Sequence, residues 1–382
     1  MVNLNFCASD GPREDILITL LSEWVRCESP SSDAVAVNRM QDLLVRDLAD
    51  QSAISVERFA GHDGRGDTVV LRAGPANGRS GTLLLGHVDT VHPIGTLERL
   101  PLRREGDRLY GPGTYDMKGG VLVGLLGMLA AARGGLTHPV TYLISPDEEV
   151  GSPTSRGRIE DLARTADCAL VLEPARTGGA AVTARKGVAW YDILVEGVPA
   201  HAGTHHADGR SAICAAAALI LELEAETDYA AGTTISIGEI SGGSARNVVP
   251  STCNFTVDIR VTNSSEADRI AARFAAVKSA RPDISLTISG GFNRPPYEKT
   301  SDTAALLAKV QAVAAELNMA IADVPMVGGG SDGNFTAALG VPTLDGLGVE
   351  GAGAHTLEEH CLISSIAPRV RLIERLICGR LP

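Results

Sequence analysis

Short, almost wholly apolar runs recur through the first half of the chain, each broken by a polar or glycine-containing stretch. DTVVLR (67–72), GTLLLG (81–86), PVTYLIS (139–145) and CALVL (168–172) lack the alternation of a half-exposed strand. Each therefore reads as a strand buried on both faces. Apolar spacing over 12–27 and 34–50 predicts two helices ahead of them, and the small-residue run at 120–132 (GVLVGLLGMLAAA) predicts a buried helix between them. Apolar strands alternating with helices indicate an α/β fold whose mixed, mostly parallel sheet is covered by helices.

The pattern changes after about residue 181. GVAWYDILVEG (187–197) alternates with period two, as a half-exposed strand does. An alanine-rich helix (210–225), strands near 233–240 and 251–261, a helix over 264–279 and a strand at 283–289 follow. The order β-α-β-β-α-β is that of a ferredoxin-like unit. Helical spacing returns at 301–317 and 363–378, flanking a short apolar strand at VPTLDGL (341–347). The expectation is a discontinuous α/β domain, residues 1–181 and 294–382, interrupted by an inserted α+β domain, residues 182–293.

Composition narrows the partners. With 44% hydrophobic and 21% charged residues the chain is globular in type. A formal net charge of −12 argues against nucleic acid or an anionic membrane as the main partner, since both require a basic footprint. An anionic small molecule needs only one or two well-placed arginines. The cysteines (Cys7, Cys27, Cys168, Cys214, Cys253, Cys361 and Cys378) are odd in number and scattered, with no C-x-x-C pair, so neither a disulfide framework nor a thiolate metal site is expected. The first residues show no basic segment followed by an apolar run, and no stretch has the 18 or so consecutive apolar residues of a membrane span. These readings lead to an expected cytoplasmic residence.

Candidate chemistry gathers at the ends of the buried strands, where open α/β sheets bind ligands. His87 and Asp89 close LLLGHVDT, Glu173 closes LVLEP, and ISPDEEV places Asp147, Glu148 and Glu149 after another strand. Asp116 sits in the glycine-punctuated loop GPGTYDMKGG, and His355 in the small-residue loop AGAHT. Singly, each has a plain alternative: a solvated acidic turn, a structural H-x-D pair, a surface histidine. The glycine loop lacks the order of a phosphate-binding P-loop, its Lys118 preceding the glycine pair. Together, two imidazoles and three carboxylates (His87, His355, Asp116, Glu173 and one of Glu148 or Glu149) could serve two metal ions. If one carboxylate bridges, each ion has three protein ligands and an open position, as catalytic zinc requires. Nitrogen and oxygen ligands without thiolate suit zinc, with cobalt or manganese as substitutes.

These blocks, with AHAG, RNVVP ahead of DIR, and GGGSDGNF, resemble in order the co-catalytic di-zinc amidohydrolases, among which are glutamate carboxypeptidase, acetylornithine deacetylase, succinyl-diaminopimelate desuccinylase and aminoacylase. The pattern is most similar to glutamate carboxypeptidase. The resemblance implies two zinc ions, one on His87 and Glu173, the other on Glu149 and His355, with Asp116 bridging. It implies that Asp89 orients His87 and that Glu148 is general base and acid. It also makes the inserted domain a lid and homodimer interface, whose His201 reaches an active site, that of the neighbouring subunit, to stabilise the oxyanion. Asn247 and Arg260 correspond to positions that bind the substrate's carboxylate or amide, and Arg294 to a further arginine there.

The implied reaction is hydrolysis of an amide bond to an amino acid with a free α-carboxylate. The alternatives are deacylation of an N-acetylornithine or N-succinyl amino acid, and a non-catalytic, metal-dependent binding dimer. His205 and His206 read as surface histidines. Ser331 of GGSDG fits the G-x-S-x-G pattern of a serine nucleophile, but the preceding DVPMVGG makes a poor strand, so that loop reads instead as backbone lining for a substrate pocket.

Overall fold

The computed structural model describes residues 13–76, 78–279, 281–379 and residue 381. Cys7 and the N-terminal segment read above for a leader lie outside them. The chain forms two compact units.

The first unit runs up to Ala184 and resumes over Lys299–Val327 and from Ser331 onward. Its main sheet has six strands, in spatial order Ser55–Phe59, Thr68–Ala73, Val140–Ser145, Gly81–His87, Ala166–Val171 and Thr343–Leu344. The last four are mutually parallel and the first two form an antiparallel edge. The Gly81–His87 strand is buried at every position, which accounts for its unbroken apolar run. Helix Gly119–Arg133 packs against helix Ile363–Cys378, with Leu122, Leu126, Val370 and Ile373 all buried in the shared core. The segment Thr114–Arg133 is long and apolar enough to cross a membrane, yet 89% of an 18-residue stretch of it is buried within the fold; its apolarity is satisfied by the core.

Where that helix begins, Gly120 allows a close approach. A Cβ there would lie 1.9 Å from the carbonyl oxygen of Leu172, so the glycine pair of DMKGG lets the helix start press on the strand end that carries Glu173. A small antiparallel sheet, not foreseen from the sequence, joins Gly351–Ala352, His360–Leu362, Arg108–Tyr110 and Arg103–Glu105.

The second unit comprises Arg185–Glu298 with Gly328–Gly330. Four antiparallel strands lie in the order Thr234–Gly242, Thr252–Val261, Gly187–Glu196, Ser285–Arg294. Helices Ala212–Glu224 and Ser264–Ala275 connect them in the ferredoxin-like manner. Ile193, Val257, Leu223 and Phe274 meet in its core, and the Tyr191 and Phe274 rings stack with centroids 4.2 Å apart. The unit starts and ends a few residues beyond 182–293 because Arg185 and Tyr297 exchange two main-chain hydrogen bonds, of 2.9 and 3.0 Å. Gly328–Gly330 joins it where the Arg185 guanidinium donates to the carbonyls of Gly329 (3.1 Å) and Gly330 (3.4 Å).

Candidate functional site

The parallel strands of the first unit end together, and their extensions carry the candidate ligands. His87 is the last residue of its strand. Glu148 and Glu149 open a single 3-10 turn three residues after Ser145, and Glu173 follows the strand ending at Val171. Asp116 lies in the turn ahead of the buried helix, next to a cis Asp116–Met117 peptide. His355 has φ +64°, the left-handed region that costs a non-glycine residue about 1–3 kcal/mol and collects at functional sites.

The two oxygens of Asp116 face different histidines. Oδ1 is 3.4 Å from His87 Nε2 and Oδ2 is 3.3 Å from His355 Nε2. His87 Nε2 is also 3.6 Å from Glu173 Oε1, and His355 Nε2 is 3.2 Å from Glu149 Oε2. Donor atoms of His87, Asp116 and Glu149 lie within 4.8 Å of one another, as do those of His87, Glu148 and Glu173. Two donors each about 2.0–2.1 Å from a tetrahedral ion are about 3.4 Å apart, which is the spacing found. Moreover, His87 Nε2 and Glu149 Oε1 are buried and make no hydrogen bond within the protein, a costly arrangement that a shared cation would relieve. The residues present fit a metal centre.

The electrostatics agree. Burial works against a charged His87, yet Asp116 and Asp89 raise its pKa well above the usual range. Hydrogen bonding to Asp116 and then to Glu149 raises His355 to about 11. Burial, and then the Asp116 charge, raise Glu149. Carboxylates in excess thus draw positive charge to the imidazoles.

Around this centre the ligand-bearing turns are fixed by buried acids. Asp89 is fully buried. His87 Nδ1 is 3.0 Å from its main-chain oxygen and 3.4 Å from its Oδ1, so the carbonyl is the nearer partner of the ring. The Asp89 carboxylate accepts the N–H groups of Glu148 (3.1 Å) and Glu149 (3.2 Å) and the Ser31 hydroxyl (2.6 Å). Asp147, the neighbour with no assigned role, accepts from Thr154 N and Oγ1 (both 2.7 Å) and Ser155 Oγ (2.5 Å). It pins the turn after the glutamates instead of facing the centre. Ser331 is buried and its hydroxyl donates to Asp345 at 2.5 Å, a contact that ties two loops.

Sequence reasoning passed over Glu359, only 1% exposed. Its carboxylate accepts from Gly113, Tyr115 and Asp116 N–H, each at 3.0 Å. No periodicity marks it; its one signal is an acid shortly after His355.

The remaining candidates belong to the second unit. His201 and Val248 pair across two short strands, and the Asn247 carbonyl accepts from Ala202 N–H at 2.9 Å, so His201 and Asn247 share one edge. His201 Nδ1 accepts from Gly203 and Thr204 N–H, both at 3.2 Å. The neutral ring therefore carries its proton on Nε2. Arg260 and Arg294 lie on the strands flanking Val188, both in register with it. Arg294 is buried, whereas Arg260 is part-exposed and bound to Asp258 through Nε (2.7 Å) and Nη2 (2.8 Å). His205 and His206 are exposed.

The chain is similar to known proteins over most of its length. Carboxypeptidase G2 of Pseudomonas sp. (strain RS-16) is 28% identical over 385 residues, covering 98% of this chain and 91% of that protein. Succinyl-diaminopimelate desuccinylase of Burkholderia mallei is 28% identical over 370 residues, covering 88% and 92%. In fold, the M20 family metallo-carboxypeptidase Sso-CP2 from Sulfolobus solfataricus superposes with a TM-score of 0.73 at 16% identity, over 96% of this chain and 99% of that one. Residues 83–378, which span every candidate ligand from His87 to His355, match the family model "Peptidase family M20/M25/M40", and the chain is a member of that family, an amide-bond hydrolase.

Proposed function

We propose that the chain is a two-metal hydrolase that cleaves an amide bond to an amino acid bearing a free α-carboxylate, as in a C-terminal glutamate or an N-acyl amino acid. The observation that carries this reading is Asp116, whose two oxygens each address one histidine. His87, Glu173 and Asp116 would hold one divalent cation, and His355, Glu149 and Asp116 the other, with zinc suited to this nitrogen and oxygen donor set. When bound, such ions acidify water and polarise a carbonyl.

The chain's own groups do the rest. Glu148 stands among the ligands of the first position; it takes the proton of the attacking water and returns it to the leaving amine. His201, protonated on Nε2, donates to the carbonyl oxygen as it gains charge. Arg260, with Asn247 and Arg294, binds the amino acid's carboxylate through charge-assisted hydrogen bonds. The inserted unit acts as lid and homodimer interface. Cys27, Cys168, Cys214, Cys253, Cys361 and Cys378 are free thiols, which supports a reducing, cytoplasmic setting.

The test is a substrate panel on zinc-loaded protein: N-acyl-glutamates, N-acetylornithine, N-succinyl-diaminopimelate and dipeptides. Turnover of C-terminal glutamate or N-acyl-glutamate substrates is expected. Turnover confined to N-acetylornithine or N-succinyl-diaminopimelate would move the assignment to deacylation of those amino acids. Tight binding with no hydrolysis at full metal loading would leave a binding protein.

A further inference from the structure

Glu359 joins the two loops that carry Asp116 and His355. Its Oε1 accepts from Tyr115 and Asp116 N–H and its Oε2 from Gly113 N–H. Oε2 also lies 2.8 Å from Nε2 of His92, itself buried. Four donors thus meet the roughly four lone-pair sites of one carboxylate. Its main-chain oxygen accepts a fifth contact, from Gly111 N–H at 3.2 Å. On the other side, Glu359 N–H reaches Thr356 O at 3.4 Å and Thr356 N–H reaches Gly353 O at 3.0 Å, so the same residue closes the turn containing His355.

Burying a carboxylate is costly unless it is fully hydrogen-bonded. Such a group is an expensive way to hold a loop that merely connects a strand to a helix. What it holds is the main chain of Asp116, the residue that addresses both histidines. We propose that Glu359, braced by His92, is a positioning residue: it locks the Asp116 loop to the His355 turn and so sets the separation of the two metal positions. This inference rests on the two-metal reading above.

The experiment is calorimetric titration of metal-free protein with zinc ions alone, for the wild-type chain and for Glu359→Ala, Glu359→Gln and His92→Ala. Cobalt absorption spectra and kinetics are recorded alongside. Outer partners of metal ligands are typically worth about 10–100-fold in metal affinity. Glu359→Ala is expected to weaken the zinc equivalent bound less tightly by about tenfold or more, to alter the cobalt spectrum, and to lower kcat while leaving KM near wild type. Glu359→Gln keeps the oxygen that serves Tyr115 and Asp116, so it should retain most of the affinity; His92→Ala should shift it the same way but less. If Glu359→Ala does not fold, His92→Ala decides. Wild-type zinc affinity and an unchanged cobalt spectrum in the folded variants would overturn the positioning role, whatever their melting temperatures. A wild-type chain that binds fewer than two zinc ions would overturn the two-metal reading itself, and the inference with it.

Discussion

Asp89 Oδ2 accepts the backbone N–H of Glu149 at 3.2 Å, and its Oδ1 that of Glu148 at 3.1 Å. One buried carboxylate therefore touches the turn of the proposed base and of a proposed ligand, while the main-chain carbonyl of Asp89 fixes His87. Asp89→Asn turns one acceptor oxygen into a donor facing an N–H group. It is expected to lower kcat by about 10–100-fold and to weaken metal binding over a similar range, measured by steady-state kinetics and zinc titration. Loss of kcat with unaltered metal affinity would limit Asp89 to the base's turn.

Glu148 and Glu149 are adjacent yet serve different groups: Glu149 pairs with His355, and Glu148 sits with His87 and Glu173. Glu148→Gln should cut kcat by about 10²–10⁴-fold, the usual worth of positioned acid–base catalysis, with metal content unchanged by elemental analysis. Glu149→Gln should lose metal. Metal loss in the Glu148 variant instead would reverse the two assignments.

His201 presents Nε2–H because Nδ1 is taken by two backbone donors. Removing an oxyanion donor costs about 10²–10³-fold in kcat, the drop expected for His201→Ala. If His201 serves the partner's site in a two-fold dimer, mixing inactive His201→Ala and Glu148→Ala subunits restores activity. Random pairing makes half the dimers mixed, each with one complete site, or about a quarter of wild-type activity. A mixture that stays inactive after verified subunit exchange places His201 in its own subunit's site.

Cys168 lies inside the central sheet, and burial pushes its thiol up to about 12 from an ordinary value of 9.0. A folded pKa above the unfolded one means the neutral thiol stabilises the fold fully below pH 9.0, and that stability is lost as pH rises toward about 12. The free energy of unfolding should fall by about 1.4 kcal/mol per pH unit in that window from this group. Denaturant titrations across the range should show a shallower fall in Cys168→Ala. Equal slopes in both proteins would mean that the thiol ionises without unfolding.

The strand-end chemistry was legible because parallel strands buried on both faces leave unbroken apolar runs, and a polar residue closing such a run stands out; His87 and Glu173 are of this kind. Local polarity hid other parts. RREGDRLY forms two strands of the small sheet (Arg103–Glu105 and Arg108–Tyr110), but it is too short and charged to show a period. Helix Arg156–Ala163 turns only Ile159, Leu162 and Ala163 inward. The strand expected to stop at 289 runs on to Arg294 through Gly290, whose φ is +111° and where a Cβ would meet the Trp190 carbonyl oxygen at 2.1 Å. A glycine required by close backbone approach there reads as a terminator. Glu359 was hidden for another reason: its partners are main-chain N–H groups more than 240 residues away, which no local pattern encodes.

Arg260 is held by Asp258 through two parallel hydrogen bonds, and the Trp190 indole N–H donates to the same Asp258 at 3.0 Å. The guanidinium is thereby fixed in plane on the part-exposed face of its sheet, with donors left over for a carboxylate. A hydrogen bond to a charged group contributes about 1.5–3 kcal/mol, so Arg260→Ala should raise KM for carboxylate substrates by about 10–100-fold with a smaller change in kcat. Arg260→Lys keeps the charge but loses the fork, and should recover only part of the affinity. Amidating the substrate's α-carboxylate provides the control: it should raise KM for the wild-type protein and have little further effect in Arg260→Ala. Equal sensitivity to amidation in both proteins would assign carboxylate recognition to another residue, with Arg294, on the far side of the intervening strand and in register with the same Val188, the next to replace.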